Sequence, residues 1–392
     1  MIPAARVQAA IECLDAVISA ARENGPPADR ILADYFRRRR YAGAKDRRAV
    51  RELVYAAIRA CGPVPASGRA AMLRLAESDP QIMPLFDGSP HGPMPVEPHE
   101  RAAAGGIAPP WLMERLSASG IADADAAALM DRAPLDLRVN TLKAVREKLT
   151  LPLAGEHLLA PNALRYPAGT AVERWDAFTD GLVEIQDHGS QWACAAVGAR
   201  PGETIIDLCA GAGGKTLALA AAMENSGVLV ACDTDRRRLG QLSPRAERAG
   251  IANLQTVLLD PGRELDRLAM WSGRADAVLV DAPCSGTGTW RRNPELRWRL
   301  DPDGIARLTA LQARLIDVAA SLVRPGGRVI YVTCSLLDEE GAEQVAKVCR
   351  GEHALHPMTL DLPIGRKRGG GVRLTPAYDG TDGFFIAHLG KP

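Results

Sequence analysis

Aromatic residues make up only 4% of this 392-residue chain, and no apolar run approaches the roughly 20 residues that a membrane-spanning helix needs. No Cys-x-x-Cys pair occurs. The eight cysteines, at 13, 61, 194, 209, 232, 284, 334 and 349, also lack histidines at metal-ligand spacing, so no metal site is expected. Eight cysteines in a chain of this length are too few for a disulfide scaffold. Net charge is nearly absent, with 48 Lys and Arg against 47 Asp and Glu, and gives no global signal for nucleic acid. The start, Met1 to Arg6, lacks the charged-then-apolar layout of a signal peptide, so a cytoplasmic location away from membranes is expected.

The composition that remains, 47% hydrophobic and 24% charged, is that of a globular protein with room for two or three domains. Val7, Ile11, Leu14 and Ile18 recur at helical spacing, as do Val50, Leu53, Val54, Ala57 and Ile58, the second group with Asp46 as N-cap. Ile31, Leu32, Tyr35 and Phe36 predict a shorter helix between them. Residues 1–77 therefore form a helical domain. Prolines and glycines crowd 78–105, which is expected to be a linker. A helix near Trp111–Ser119 and a strand near Leu135–Val139 suggest a small α/β subdomain over 106–180.

From 181 to 392 short β-branched runs alternate with helical segments. The strands fall at Thr204–Leu208, Val228–Cys232, Leu254–Leu259, Ala277–Val280, Arg328–Thr333 and Phe384–Leu389. This alternation predicts a mostly parallel, doubly wound sheet, with Pro244 kinking or splitting the helix after the second strand.

The first strand runs into Asp207-Leu208-Cys209-Ala210-Gly211-Ala212-Gly213-Gly214-Lys215-Thr216. A glycine turn opening a helix lets backbone approach a ligand and aims free N–H groups at it. Asp233 ends the next strand, where an acid can hold a ribose hydroxyl pair. Gly214-Lys215-Thr216 also resembles the end of a phosphate-binding P-loop, but Cys209 stands where that loop needs glycine. The pattern favours an adenosine site without triphosphate chemistry.

Two further strands end in cysteine motifs, Asp281-Ala282-Pro283-Cys284-Ser285-Gly286-Thr287-Gly288 and Tyr331-Val332-Thr333-Cys334-Ser335. Ligands of open α/β sheets bind beyond the carboxyl ends of strands, so both thiols fall in the expected crevice. A thiolate adding to carbon 6 of cytosine makes carbon 5 nucleophilic enough to accept a methyl group, and an acid at ring nitrogen 3 stabilises the developing charge. A base must then remove the carbon 5 proton and expel the sulfur.

These motifs resemble the Sun (Nop/Sun) family of RNA cytosine-5 methyltransferases. The resemblance continues through Arg138-Val139-Asn140, Gln186-Asp187-His188-Gly189-Ser190-Gln191 and Gly380-Thr381-Asp382-Gly383-Phe384-Phe385, and covers about 106–392. More loosely, Asp46-Arg47-Arg48-Ala49-Val50-Arg51-Glu52-Leu53-Val54-Tyr55 resembles the NusB-like RNA-binding domain of the ribosomal small-subunit methyltransferase B branch. The resemblance implies a Rossmann-like class I methyltransferase sheet that uses S-adenosylmethionine, with a small α/β subdomain and an all-α NusB-like start. It implies Cys334 as nucleophile, Cys284 as the thiol that helps resolve the adduct, and Asp281 at the cytosine edge. Cys209, Ala210, Gly211, Ala212, Gly213, Gly214, Lys215, Asp233, Asp260 and Asp281 would line the cofactor pocket. Two positions depart from the family: Gly211-Ala212 replaces Ala-Pro, which predicts a looser turn, and Pro261 replaces the glycine after Asp260.

RNA, most naturally ribosomal, is the implied partner of a monomer, with a flipped or unpaired target base. Trp290-Arg291-Arg292-Asn293-Pro294 and Arg297-Trp298-Arg299 interleave aromatics with arginines, a composition suited to stacking on bases and gripping phosphates. Basic runs at Arg37–Arg40 with Lys45, Arg47, Arg48 and Arg51, and at Arg366–Arg368, suit RNA or a solvated surface equally. Rival functions are a transfer RNA or DNA cytosine-5 methyltransferase, the latter with Cys284 as nucleophile, a P-loop NTPase, and a non-catalytic RNA-binding assembly factor.

Overall fold

Helical spacing places Val7, Ile11, Leu14 and Ile18 on one stripe of α1 (Pro3–Arg22), and all four are buried. That stripe packs in a bundle with α2 (Ala28–Arg38), α3 (Ala44–Ala60) and α4 (Gly68–Ser78). Leu32 and Phe36 from α2, Val50, Val54 and Ile58 from α3, and Met72 and Leu75 from α4 complete the core. α4 starts at Ser67, whose hydroxyl accepts the Ala70 N–H at 3.1 Å. The start of α3 differs from expectation. Gly43 occupies the cap position, and Asp46 lies inside the first turn with Arg6 donating to its carboxylate at 2.9 Å.

The proline-rich stretch 78–105 sends Ile82, Phe86 and Ala103 into the same core, because prolines bar regular helix without barring burial. α5 (Pro110–Ala118) follows, with Leu112 and Leu116 buried. This computed structural model describes residues 1–351 and 355–392 and divides into two compact units. One holds 1–131 together with 289–301, and the other holds 132–288 together with 302–392. Residues up to 131 thus group with the helices, not with an α/β segment starting at 106.

The stretch 289–301 corrects the sequence reading most sharply. Its tryptophans and arginines do not form an exposed RNA surface. Trp290 and Arg297 have no exposed surface, and Arg291 and Trp298 are buried. Arg297 donates to the Ile58 and Cys61 carbonyls at 2.6 and 2.7 Å, at the end of α3. Arg299 donates to the Ala20 and Gly25 carbonyls at 3.3 and 2.8 Å, and Trp298 Nε1 to the Gly62 carbonyl at 3.2 Å. Glu295 accepts the Ala28 N–H at the start of α2. Helix ends leave backbone groups without partners inside the helix, and these side chains satisfy them.

The second unit opens with a small antiparallel sheet of β1 (Leu135–Val139), β2 (Glu156–His157), β3 (Ala163–Tyr166) and β4 (Val183–Ile185), in the order β2-β3-β1-β4. Its larger sheet has a parallel core of β5 (Thr204–Asp207), β6 (Val228–Asp233), β7 (Leu254–Leu258), β8 (Ala275–Asp281) and β9 (Val323–Thr333). Four antiparallel strands extend it: β10 (His356–Pro357), β11 (Arg366–Arg368), β12 (Gly371–Leu374) and β13 (Phe384–Gly390). The order is β11-β12-β13-β9-β8-β5-β6-β7, with β10 beside β13. All six strands expected here form. The helix after β6 is split into Arg236–Leu239 and Leu242–Ala249, with Pro244 in the first turn of the second piece, where its missing N–H is tolerated.

Chain order runs outward from β5 through β6 to β7 on one side, and from β8 to β9 on the other. The reversal opens a crevice beyond the carboxyl ends of β5 and β8, the general ligand site of such sheets. No helix among the described residues is long and apolar enough to cross a membrane.

Candidate active site

Beyond β5 the chain turns through residues 208–213 into the helix Gly214–Ala222. Gly213 has φ +88°, and a Cβ there would lie 2.0 Å from Leu242 Cδ1, so the turn requires glycine on both counts. Gly211, with φ +57°, does not leave the turn loose. Its N–H donates to Asp233 at 2.7 Å, the Gly213 N–H donates to the Ala210 carbonyl at 2.9 Å, and Arg245 donates to the Ala212 carbonyl at 2.6 Å.

Carboxylates dominate the crevice. Asp233 ends β6 nearly buried and accepts the Asp235 N–H on its second oxygen at 2.7 Å. Asp281 ends β8 and holds the Lys215 ammonium at 2.6 Å. Burial alone would lower the Lys215 pKa, but Asp281, with Cys194 and Cys334 nearby, raises it above the ordinary lysine value. Burial, reinforced by Asp207, Asp281 and Asp233, likewise holds the Cys209 thiol well above its ordinary value. Asp260 lies farther out, exposed beyond β7, with Arg267 at 3.4 Å.

Asp207 was not singled out by the sequence. It is fully buried; one oxygen accepts the Thr216 hydroxyl at 2.6 Å, and the other accepts no hydrogen bond among the described residues. Burial, opposed by the Thr216 hydrogen bond and reinforced by Asp281, raises its pKa to about 7. A folded-state pKa above the unfolded one means that the folded protein keeps this proton longer, so stability falls as pH rises from about 4 to about 7. Asp207→Asn removes that charging penalty. Its stability advantage over the wild type is expected to grow by about 3 kcal/mol between pH 5 and pH 8, read by urea unfolding. An advantage independent of pH would mean that Asp207 ionises freely.

The two cysteine motifs meet at the ends of adjacent strands. Cys284 Sγ and Cys334 Sγ are 3.3 Å apart, both half-buried. Beside them the Gly288 N–H donates to the Cys334 carbonyl at 2.9 Å, and the Gly383 N–H donates to the Gly288 carbonyl at 2.8 Å. The hydrogen bond with Cys334, then burial, pushes the Cys284 thiol well above its ordinary pKa.

Other motif residues act as scaffold. Arg138 Nε donates to Gln186 at 2.7 Å, and the Gln186 amide reaches Cys194 Sγ at 3.3 Å. Asn140 donates to the Gly181 and Ala249 carbonyls at 2.9 and 2.8 Å, while Asp187 accepts the N–H groups of Gly189 and Asp382. Glu340, also missed, sits wholly buried between the two cysteine loops. It is the last of three consecutive acids, Asp338-Glu339-Glu340, and nothing in the sequence marks which of them turns inward. Asp338 instead pairs with Arg368 and Arg373, which takes Arg368 out of the basic run Arg366–Arg368.

Known proteins resemble this chain in sequence and in fold. A family model described as 16S rRNA methyltransferase RsmB/F matches residues 195–390. A probable ribosomal RNA small subunit methyltransferase B from Synechocystis is 34% identical over 301 residues, covering 72% of this chain and 66% of that protein. Its probable counterpart in Bacillus subtilis is 31% identical over 310 residues, covering 75% and 69%. The matched region thus spans about two thirds of the length of these relatives. The crystal structure of NSun6 from Pyrococcus horikoshii, solved with SFG, an analogue of S-adenosylmethionine, superposes with a TM-score of 0.64. That match covers 72% of this chain and 98% of the other at 22% identity, a likeness of fold.

Proposed function

This chain belongs to the RsmB/F family of 16S rRNA methyltransferases, and we propose that it methylates carbon 5 of a cytosine in 16S ribosomal RNA through a covalent cysteine adduct. The observation that carries the reading is the pair of thiols 3.3 Å apart at the ends of β8 and β9, in the crevice that also holds the glycine turn.

The crevice fits S-adenosylmethionine. Asp207, Asp233 and Asp281 surround the turn and suit a cationic ligand carrying amino and hydroxyl donors, and Asp207 has an acceptor to spare. A triphosphate would meet the same three acids, and the one lysine of the turn is already paired with Asp281. Residues 209–215 and Asp233 would hold the cofactor, with Asp260 at the outer rim. When bound, the cofactor supplies an activated methyl group.

The protein's own residues would do the rest. The hydrogen bond with Cys334 and burial hold the Cys284 thiol well above its ordinary pKa, so Cys334 is the sulfur that would add to carbon 6. Asp281 would meet the base's edge, and the Lys215 ammonium beside it would stabilise the electrons that move into the ring. After methyl transfer the carbon 5 proton would pass to solvent as the carbon 6–sulfur bond breaks, and Cys284 lies close enough to donate its proton to the departing sulfur.

Incubating the protein with S-adenosylmethionine and unmodified 16S ribosomal RNA should yield 5-methylcytidine, quantified by nucleoside mass spectrometry. Transfer RNA run in parallel separates the substrate classes. Absence of product from both RNAs, with S-adenosylmethionine bound, would leave the assembly-factor reading.

A further inference from the structure

Glu340 has no exposed surface, yet four donors converge on its carboxylate. One oxygen accepts the Ser285 N–H and the Gln312 amide, each at 2.9 Å. The other accepts the Ser335 hydroxyl at 2.6 Å and the Ser285 hydroxyl. The Glu340 backbone is fixed as well, its carbonyl accepting the Tyr331 hydroxyl at 2.7 Å. Gln312 also donates to the Pro283 carbonyl at 2.9 Å, one residue before Cys284.

The donors matter because of where they stand in the sequence. Ser285 follows Cys284 and Ser335 follows Cys334, so a single carboxylate grips the residue next to each thiol on two separate loops. Thr287 completes the network: its hydroxyl lies 3.1 Å from the Ser335 hydroxyl and accepts the Leu336 N–H at 2.8 Å. A buried carboxylate is a poor way to stabilise a core, since apolar residues of similar volume do as well or better. What it supplies is a fixed geometry between the groups that it joins.

We propose that Glu340 is a positioning residue that sets the spacing and mutual aim of the Cys284 and Cys334 thiols by tying both loops to one carboxylate. The inference rests on the two-thiol reading above. Glu340 also adds to the causes that keep Cys284 protonated, after its hydrogen bond with Cys334 and its burial.

The test uses Glu340→Gln in the full chain. Glutamine keeps the shape and one acceptor oxygen, and the serine hydroxyls can reverse to accept from its amide, so the fold is retained while the shared grip is weakened. Diamide converts the two thiols to a disulfide by removing two electrons and two protons, and peptide mass spectrometry reads the rate without RNA. Closure of the Cys284–Cys334 disulfide is expected to be about tenfold slower in E340Q. With RNA, kcat should fall on the order of 10²-fold while KM for RNA and S-adenosylmethionine moves less than about twofold. Glu339→Gln, one residue earlier, should leave both readouts unchanged. Closure at the wild-type rate overturns the proposal, as does slowing that Glu339→Gln shares or that tracks a fall in unfolding temperature. If E340Q slows closure and the wild type forms no 5-methylcytidine, the positioning role stands and the proposed reaction fails.

Discussion

Cys334→Ala is expected to lower 5-methylcytidine formation on the order of 10³-fold or more, whereas Cys284→Ala should leave a covalent protein–RNA adduct that turns over slowly. The asymmetry follows from the thiol pair. Across the 3.3 Å sulfur–sulfur contact, the hydrogen bond and burial push the Cys284 thiol well above its ordinary pKa, which makes it the poorer nucleophile of the two. Removing Cys334 removes the attacking sulfur. Removing Cys284 leaves the attack intact but withdraws the neighbouring thiol from adduct release. Denaturing gels distinguish the two, because only a covalent adduct shifts the protein band. The opposite pattern, an active Cys334→Ala and an inert Cys284→Ala, would move the nucleophile to the Pro-Cys motif, as in the DNA-type alternative. Two inert variants without adduct would remove both thiols from the chemistry.

The crevice was legible in the sequence because each of its parts ends a β-branched run. Asp233, Asp281 and Cys334 all follow such runs, and a parallel sheet places successive strand ends on one rim. The clamp beneath that rim was not legible. Glu340 meets Ser285 from 55 residues away, and the burial that distinguishes it from Glu339 comes from tertiary packing. The hairpin of β11 and β12 escaped for a different reason: Arg366-Lys367-Arg368 has no apolar alternation, and its pairing with β12 sets the strand. In the helical unit, apolar periodicity gave α1, α2 and α3, but the proline content of 78–105 suggested looseness where Ile82 and Phe86 are in fact core.

Arg297 shows most clearly why local composition misleads, and it carries the largest stability effect expected of any substitution here. An arginine beside a tryptophan reads equally well as a phosphate grip and as a cap for helix carbonyls, and only the fold decides between them. Here the guanidinium has no exposed surface and donates to Ile58 and Cys61 at the end of α3 and to Pro294 within its own stretch. Burial lowers its pKa to about 10, so it remains charged at neutral pH. Arg297→Ala would strand the buried Cys61 carbonyl, leave the Ile58 carbonyl with only the Cys61 N–H at 3.3 Å, and open a cavity in the helical core, costing about 3–5 kcal/mol. Arg297→Lys should recover little, since one ammonium cannot span both carbonyls as a fork of N–H groups does. Hydrogen exchange of the α1–α3 amides in the full chain measures the loss where it occurs, apart from the unfolding of the α/β unit. If instead Arg297→Ala leaves those amides protected and weakens RNA binding with a shallower salt dependence, the arginine grips phosphate and the capping role is wrong.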